Sequence, residues 1–171
     1  MSDEVQTQVG SDTVSASAVV DAPPAVVFDF IRRPANHSII SGDSSVKAAT
    51  SGPEELSLGD RFGMRMKLGL PYPITNKVVE FEPGRRIAWC HMGGHRWRWE
   101  VEDAGDGRSK VTETFDMTAS RFPPALKLMG YPRGHEKNVA ASVANVVARF
   151  ATGGASGAGP GGGSGGAEGG G

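Results

Sequence analysis

HRWRWEVEDAGDGRSKVTETFDM, residues 95–117, reads as two strands joined by one turn. In its first half Trp97, Trp99 and Val101 alternate with Arg96, Arg98, Glu100 and Glu102. A period of two with indoles on one face and charges on the other is the signature of a half-buried strand, so both indoles are expected to point inward. If Gly105-Asp106-Gly107 forms a three-residue loop, Val101 lies opposite Val111, Trp99 opposite Glu113 and Trp97 opposite Phe115. A two-residue Asp-Gly turn would instead send Val111 and Phe115 outward. The first register collects Val111, Phe115 and Met117 on the apolar face and is the one adopted. It also carries one carboxylate inward, Glu113.

The preceding strand can be set by the same parity. A two-residue Gly93-Gly94 turn puts Cys90 opposite Trp97 and Ala88 opposite Trp99, both inward, and leaves Trp89 outside against Arg98. A three-residue turn would reverse these faces. Further upstream, Phe62, Met64, Met66 and Leu68 share a face against Arg65 and Lys67, which gives a methionine-rich wall suited to irregular ligands. Along 74–81 two faces remain open: Thr75, Lys77, Val79 and Phe81, or Asn76, Val78 and Glu80.

Around this block the chain reads strand, two short helices, six strands and a long helix. Thr13 to Val20 alternates small residues as a first strand, and Asp21 before Pro23-Pro24 opens a helix that Pro34 ends. Residues 35–41 form a second short helix. Near the end, Val139, Val143, Val146, Val147 and Phe150 fall on one helical face, beside a polar stripe of Asn138, Ser142, Asn145 and Arg149. Tight turns between short strands imply an antiparallel sheet, and helices on one side of it make the fold α+β.

Of the 25 glycines among 171 residues, 12 lie between Gly153 and Gly171, a run with too little apolar surface to offset its ordering. The expected organisation is a flexible polar leader over 1–11, one ligand-sized domain over 12–152 and a disordered glycine-rich tail over 153–171. With 18 Lys and Arg against 19 Asp and Glu spread along the chain, there is no basic stripe for nucleic acid. The single cysteine excludes an intrachain disulfide framework, and no stretch is apolar for long enough to span a bilayer as a helix. A cytoplasmic location and no integral membrane segment are the expectations.

The segment DAPPAVVFDFIRRPANH (21–37), the turn EFEPGRRIAW (80–89) and the join KVTETFDMTASRFPPALKLMGYPRG (110–134) resemble the START/polyketide cyclase superfamily, in particular bacterial single-domain polyketide cyclase/dehydrase-like proteins. The resemblance covers about residues 12–151. It implies a helix-grip fold: a curved antiparallel sheet of about seven strands wrapped around the long C-terminal helix, enclosing an apolar cavity. It also implies a hydrophobic small-molecule ligand, lipid-like or polyketide-like, or cyclase/dehydratase chemistry in the same cavity. No cofactor is implied.

The residues expected at that cavity are Phe62, Met64, Met66, Cys90, Trp97, Trp99, Glu113, Phe115, Tyr131 and Asn138. Glu113 is the catalytic candidate, because a carboxyl desolvated between indoles has a raised pKa and can anchor a ligand hydroxyl or carbonyl, or act as an acid or base. Tyr131, beside Pro132, is a loop anchor or a gate, and Asn138 belongs to a stripe that faces either the cavity or water. Cys90, His91 and His95 do not close a metal site, since parity puts His91 on the other face; no metal is expected. His37 and His135 are expected at the surface near the mouth.

Overall fold

The structure, a computed structural model, describes residues 4–151. The expected tail over 153–171 lies outside the described residues. Eight strands form one antiparallel sheet: β1 (Gln6–Val9), β2 (Thr13–Val20), β3 (Val46–Ser51), β4 (Arg61–Leu68), β5 (Leu70–Glu82), β6 (Arg86–Cys90), β7 (Arg96–Gly105) and β8 (Arg108–Asp116). Their order is β1-β2-β8-β7-β6-β5-β4-β3. The helices are α1 (Pro24–Ile31), α2 (His37–Ile40), α3 (Pro123–Leu128) and α4 (Glu136–Ala151). This is the α+β helix-grip architecture, with one strand more than the sequence suggests. The addition is β1: Gln6–Val9, assigned to a flexible leader, pair with Ser17 to Val14 as an edge strand. All four side chains are exposed, so no apolar alternation marks the strand and only its backbone ladder holds it.

Alternating small residues on β2 explain where the long helix sits. Val14, Ala16, Ala18 and Val20 are buried, Ser15 and Ser17 are not, and α4 lies across this strand. Alanines let a helix axis approach a sheet closely, and α4 answers with Val139, Val143 and Val146, each fully buried. Helix α1 closes the other end of the core with Val27, Phe28 and Ile31; Phe28 meets Phe81 with ring centroids 6.0 Å apart.

Three irregularities decide which side chains reach the concave face. The β7–β8 register pairs Trp97 with Phe115, Trp99 with Glu113 and Val101 with Val111, as the sequence predicts. The turn itself is two residues, Asp106 and Gly107, at φ 54° and 72°, a conformation that favours glycine at the second position. A bulge between Asp103 and Gly105 absorbs the extra residue and restores the parity of a three-residue loop. Between β6 and β7 the connection spans residues 91–95, so Cys90 pairs with Arg96, Trp89 with Trp97 and Ile87 with Trp99. Trp89 therefore faces inward. Cys90 turns to the opposite face of the sheet, correcting its expected place in the cavity wall. On β5 a shift between Val78 and Glu80 divides the strand: Asn76 and Val78 are buried on the inner face, whereas Glu80 faces out. There Glu80 accepts hydrogen bonds from Arg96 (2.6 Å) and Arg98 (2.8 Å), and Arg98 also reaches Asp116 at 3.0 Å. The two guanidiniums hold the Glu80 carboxyl down at about 2.

Candidate functional site

Between the concave face of the sheet and α4 lies a cavity of about 340 Å³, the size of a small-molecule site. Of the expected residues, Met64, Met66, Trp97, Trp99, Glu113, Tyr131 and Asn138 line it. Phe62 and Phe115 are buried just behind the wall, Phe62 edge-on to Trp89 at 5.8 Å and Phe115 against Trp97 at 4.8 Å. Trp89 pairs across the strands with Trp97, which shares its face of β7 with Trp99, and these indoles make one wall polarizable and largely apolar.

Among the described residues Glu113 is the one carboxyl group fully buried against this wall, and its Oε2 has no hydrogen-bond partner. Burial pushes its pKa well above the usual carboxylate range. The Ser142 hydroxyl offsets this only in part, and the charge of Asp43 pushes in the same direction as burial. A carboxyl so placed holds its proton to a higher pH than an exposed glutamate, and in that state it is a hydrogen-bond donor inside an apolar cavity.

The polar stripe of α4 faces neither water nor only the cavity. Asn138 donates to Asp43 Oδ2 at 3.3 Å, Asn145 to the Ile40 carbonyl at 3.2 Å, and Ser142 Oγ accepts from the Gly42 amide at 3.1 Å. Together they latch the α2–β3 connection onto the helix. Gly42 sits so close that a Cβ there would meet the backbone of Asn138 and, at 2.7 Å, that of Ser142. Sequence spacing alone could not reveal this, since the latch joins residues about a hundred positions apart.

Histidines are where the sequence reading missed most. His37, expected at the surface, is buried, stacks on Trp89 with centroids 4.6 Å apart and donates Nε2–H to the Ile31 carbonyl at 2.9 Å. Burial lowers its pKa to about 4, so the ring is neutral. His91 and His95, assigned to opposite faces, both line the cavity because the five-residue loop curls back, and their Nε2 atoms lie 3.0 Å apart. One ring must donate and the other accept. Burial, followed by the neighbouring His91 and His135, lowers His95 to about 4. His135 also lines the cavity, tilted against Phe115 with centroids 4.3 Å apart, and burial lowers its pKa too. The mouth thus carries neutral imidazoles beside Tyr72 and Tyr131. Among the described residues no group of three or more His, Cys, Asp or Glu is arranged to hold a metal ion. No helix among them is long and apolar enough to cross a membrane.

Comparison with known proteins agrees with this geometry. Residues 11–151 match the family described as polyketide cyclase/dehydrase and lipid transport. The uncharacterised protein Rv0088 of Mycobacterium tuberculosis is 36% identical over 140 residues, which are 79% of this chain. The chain spans 62% of the length of that relative. Among solved structures, the Zhui aromatase/cyclase of Streptomyces sp. R1128 superposes with a TM-score of 0.61 at 15% identity, covering 85% of this chain and 94% of that one. A protein of Arthrobacter aurescens superposes with a TM-score of 0.64 at 13% identity, covering 86% and 91%. At such identities the structural likeness speaks for the fold, and the match over 11–151 speaks for descent: the chain belongs to the polyketide cyclase/dehydrase and lipid-transport family.

Proposed function

We propose that this protein binds and carries a hydrophobic small molecule, polyketide-like or lipid-like, whose one polar tip accepts a hydrogen bond from the un-ionised Glu113 carboxyl. The observation that carries the reading is the unpartnered Oε2 of Glu113 in a cavity walled by Trp89, Trp97, Trp99, Met64 and Met66. A buried polar group without a partner is costly, and a ligand carbonyl or hydroxyl would relieve that cost on binding. Apolar burial supplies the rest of the affinity, at about 25 cal/mol per Å² before ordering costs. The test is quenching of tryptophan fluorescence by a hydroxylated anthraquinone. Glu113→Gln keeps a neutral donor and should bind within a few-fold of the parent, whereas Glu113→Leu should weaken binding about tenfold, the value of one net hydrogen bond. Equal affinity in all three proteins would contradict the role of Glu113.

A second reading, a cyclase/dehydratase, is favoured by one further observation: His95 and His135, whose burial lowers their pKa, share the cavity with Glu113, whose burial raises its own. Enolisation of a poly-β-ketone followed by loss of water needs a base and an acid within one site, and these groups are of the right protonation states. Incubation with a poly-β-ketone thioester should then yield an aromatic chromophore that is lost in Glu113→Leu. Turnover unaffected by that change would remove this reading and leave carriage standing.

A further inference from the structure

The antiparallel order places three connections at one end of the sheet: the β4–β5 turn at Gly69, the loop 91–95 and the segment 117–135 that leaves β8 and contains α3. The amide of Arg121 donates to the Gly93 carbonyl at 3.1 Å, which ties the second of these to the third. The cavity reaches this end, where Tyr72 of β5 and His91, Leu126, Tyr131 and His135 of the two longer connections line it. Yet these connections also hold Leu70, Met92, Phe122, Leu128 and Met129 out in solvent, between 69% and 91% exposed. Apolar tips on three separate connections around one opening are not a packing accident of a single loop.

Charge at this end is mainly basic, although Asp12, Asp43 and Asp116 also lie here and Asp116 is paired with Arg98. Residues 61–79 contain Arg61, Arg65, Lys67 and Lys77 and no acid, and residues 117–135 contain Arg121, Lys127 and Arg133 and no acid. Arg61 and Lys77 are direct cross-strand partners, a like-charged pairing that costs stability unless an anion lies near. They and Arg121 line a second, outward-facing pocket with Met92. Lys127 is paired, with Asp12 at 2.8 Å. At the opposite end the charge is mixed, with Glu82 paired to Arg85 at the β5–β6 turn and Asp106 to Arg108 at the β7–β8 turn.

We infer that the cavity mouth docks on an anionic phospholipid surface, with Leu70, Phe122, Leu128 and their exposed neighbours entering the interface and the surrounding cations meeting lipid phosphates. Separate apolar tips ringed by cations fit a bilayer, whereas a folded acidic partner would call for a continuous apolar face. Docking there brings the opening of the cavity to the medium in which an apolar ligand is dissolved.

Co-sedimentation of the full chain with phosphatidylcholine vesicles, with and without phosphatidylglycerol, tests this with no cavity ligand present. Binding should be at least about tenfold stronger with phosphatidylglycerol and should weaken as salt rises. Leu70→Glu/Leu128→Glu should weaken it by about tenfold or more without changing the unfolding temperature, since both side chains are exposed. Val26→Glu, a half-exposed apolar position on α1 at the other end, should leave it unchanged. Glu113→Leu should dock as the parent does, so a failure of docking and a failure of the cavity reading are separate results. No preference for anionic vesicles, or equal loss from Val26→Glu, would overturn the inference. So would capture by an acidic carrier protein without any vesicle binding.

Discussion

Replacing Glu113 by Gln tests whether the buried carboxyl keeps its proton in the native state. Its pKa is raised well above the 4.5 of an exposed glutamate, chiefly by burial. Above pH 4.5 the unfolded chain therefore loses a proton that the native chain retains. The native state binds more protons, so its stability falls as pH rises from 4.5 and levels off only once Glu113 ionises in the folded protein. For one proton the slope is about 1.4 kcal/mol per pH unit. In a domain of this size that is roughly 4–5 °C of unfolding temperature per pH unit. Glutamine has nearly the same shape and is neutral throughout, so the variant lacks this slope. Every other titrating group is shared by the two proteins and cancels in the difference. Scanning calorimetry of both from pH 5 to pH 8 should find them nearly equal at the acid end, with the variant gaining steadily as pH rises. A gap that does not change with pH would refute the un-ionised carboxyl.

The opposite pH dependence belongs to His37, whose pKa of about 4 lies below the 6.5 of a free imidazole, so stability is lost as pH falls from 6.5 toward 4, by about 3 kcal/mol in all. In urea unfolding, His37→Phe should flatten that acid loss; an unchanged slope would mean that another group is responsible. Gly42→Ala should cost about 1–3 kcal/mol, because its methyl group would press on the α4 backbone, and should loosen the cavity, read as weaker anthraquinone binding. A fully stable Gly42→Ala protein would show that the latch is not tight. Trp99→Ala, at a position 1% exposed, should cost about 3–5 kcal/mol in the same assay, and a loss below 1 kcal/mol would mean that the wall collapses without strain.

Strand parity carried the sequence reading as far as its turns allowed. The β7–β8 register, and with it the inward placement of Trp97, Trp99 and Glu113, was legible because the charged and apolar faces of 96–102 are sharply separated. That it was reached through a bulge and a two-residue turn made no difference to the faces. On β6 the same rule misplaced Trp89 and Cys90, because Gly93-Gly94 sits inside a five-residue connection, and a change of one residue in register exchanges the two faces. The 74–81 segment could not be resolved by any single parity, since it bulges between Val78 and Glu80 and uses both. The histidines at 37, 91, 95 and 135 carry no local pattern, and the rings that receive His37 and His135, Trp89 and Phe115, come from distant segments. The edge strand Gln6–Val9 lacks apolar alternation altogether.

The hydrogen bond between Glu113 and its ligand is read most directly by infrared difference spectroscopy of the protein with a ketone-bearing anthraquinone. A carbonyl that accepts from the Glu113 carboxylic acid should shift to lower frequency on binding at neutral pH, and the shift should vanish in Glu113→Leu. A bound ligand whose carbonyl frequency is the same in the parent and in Glu113→Leu would contradict the donor role of Glu113.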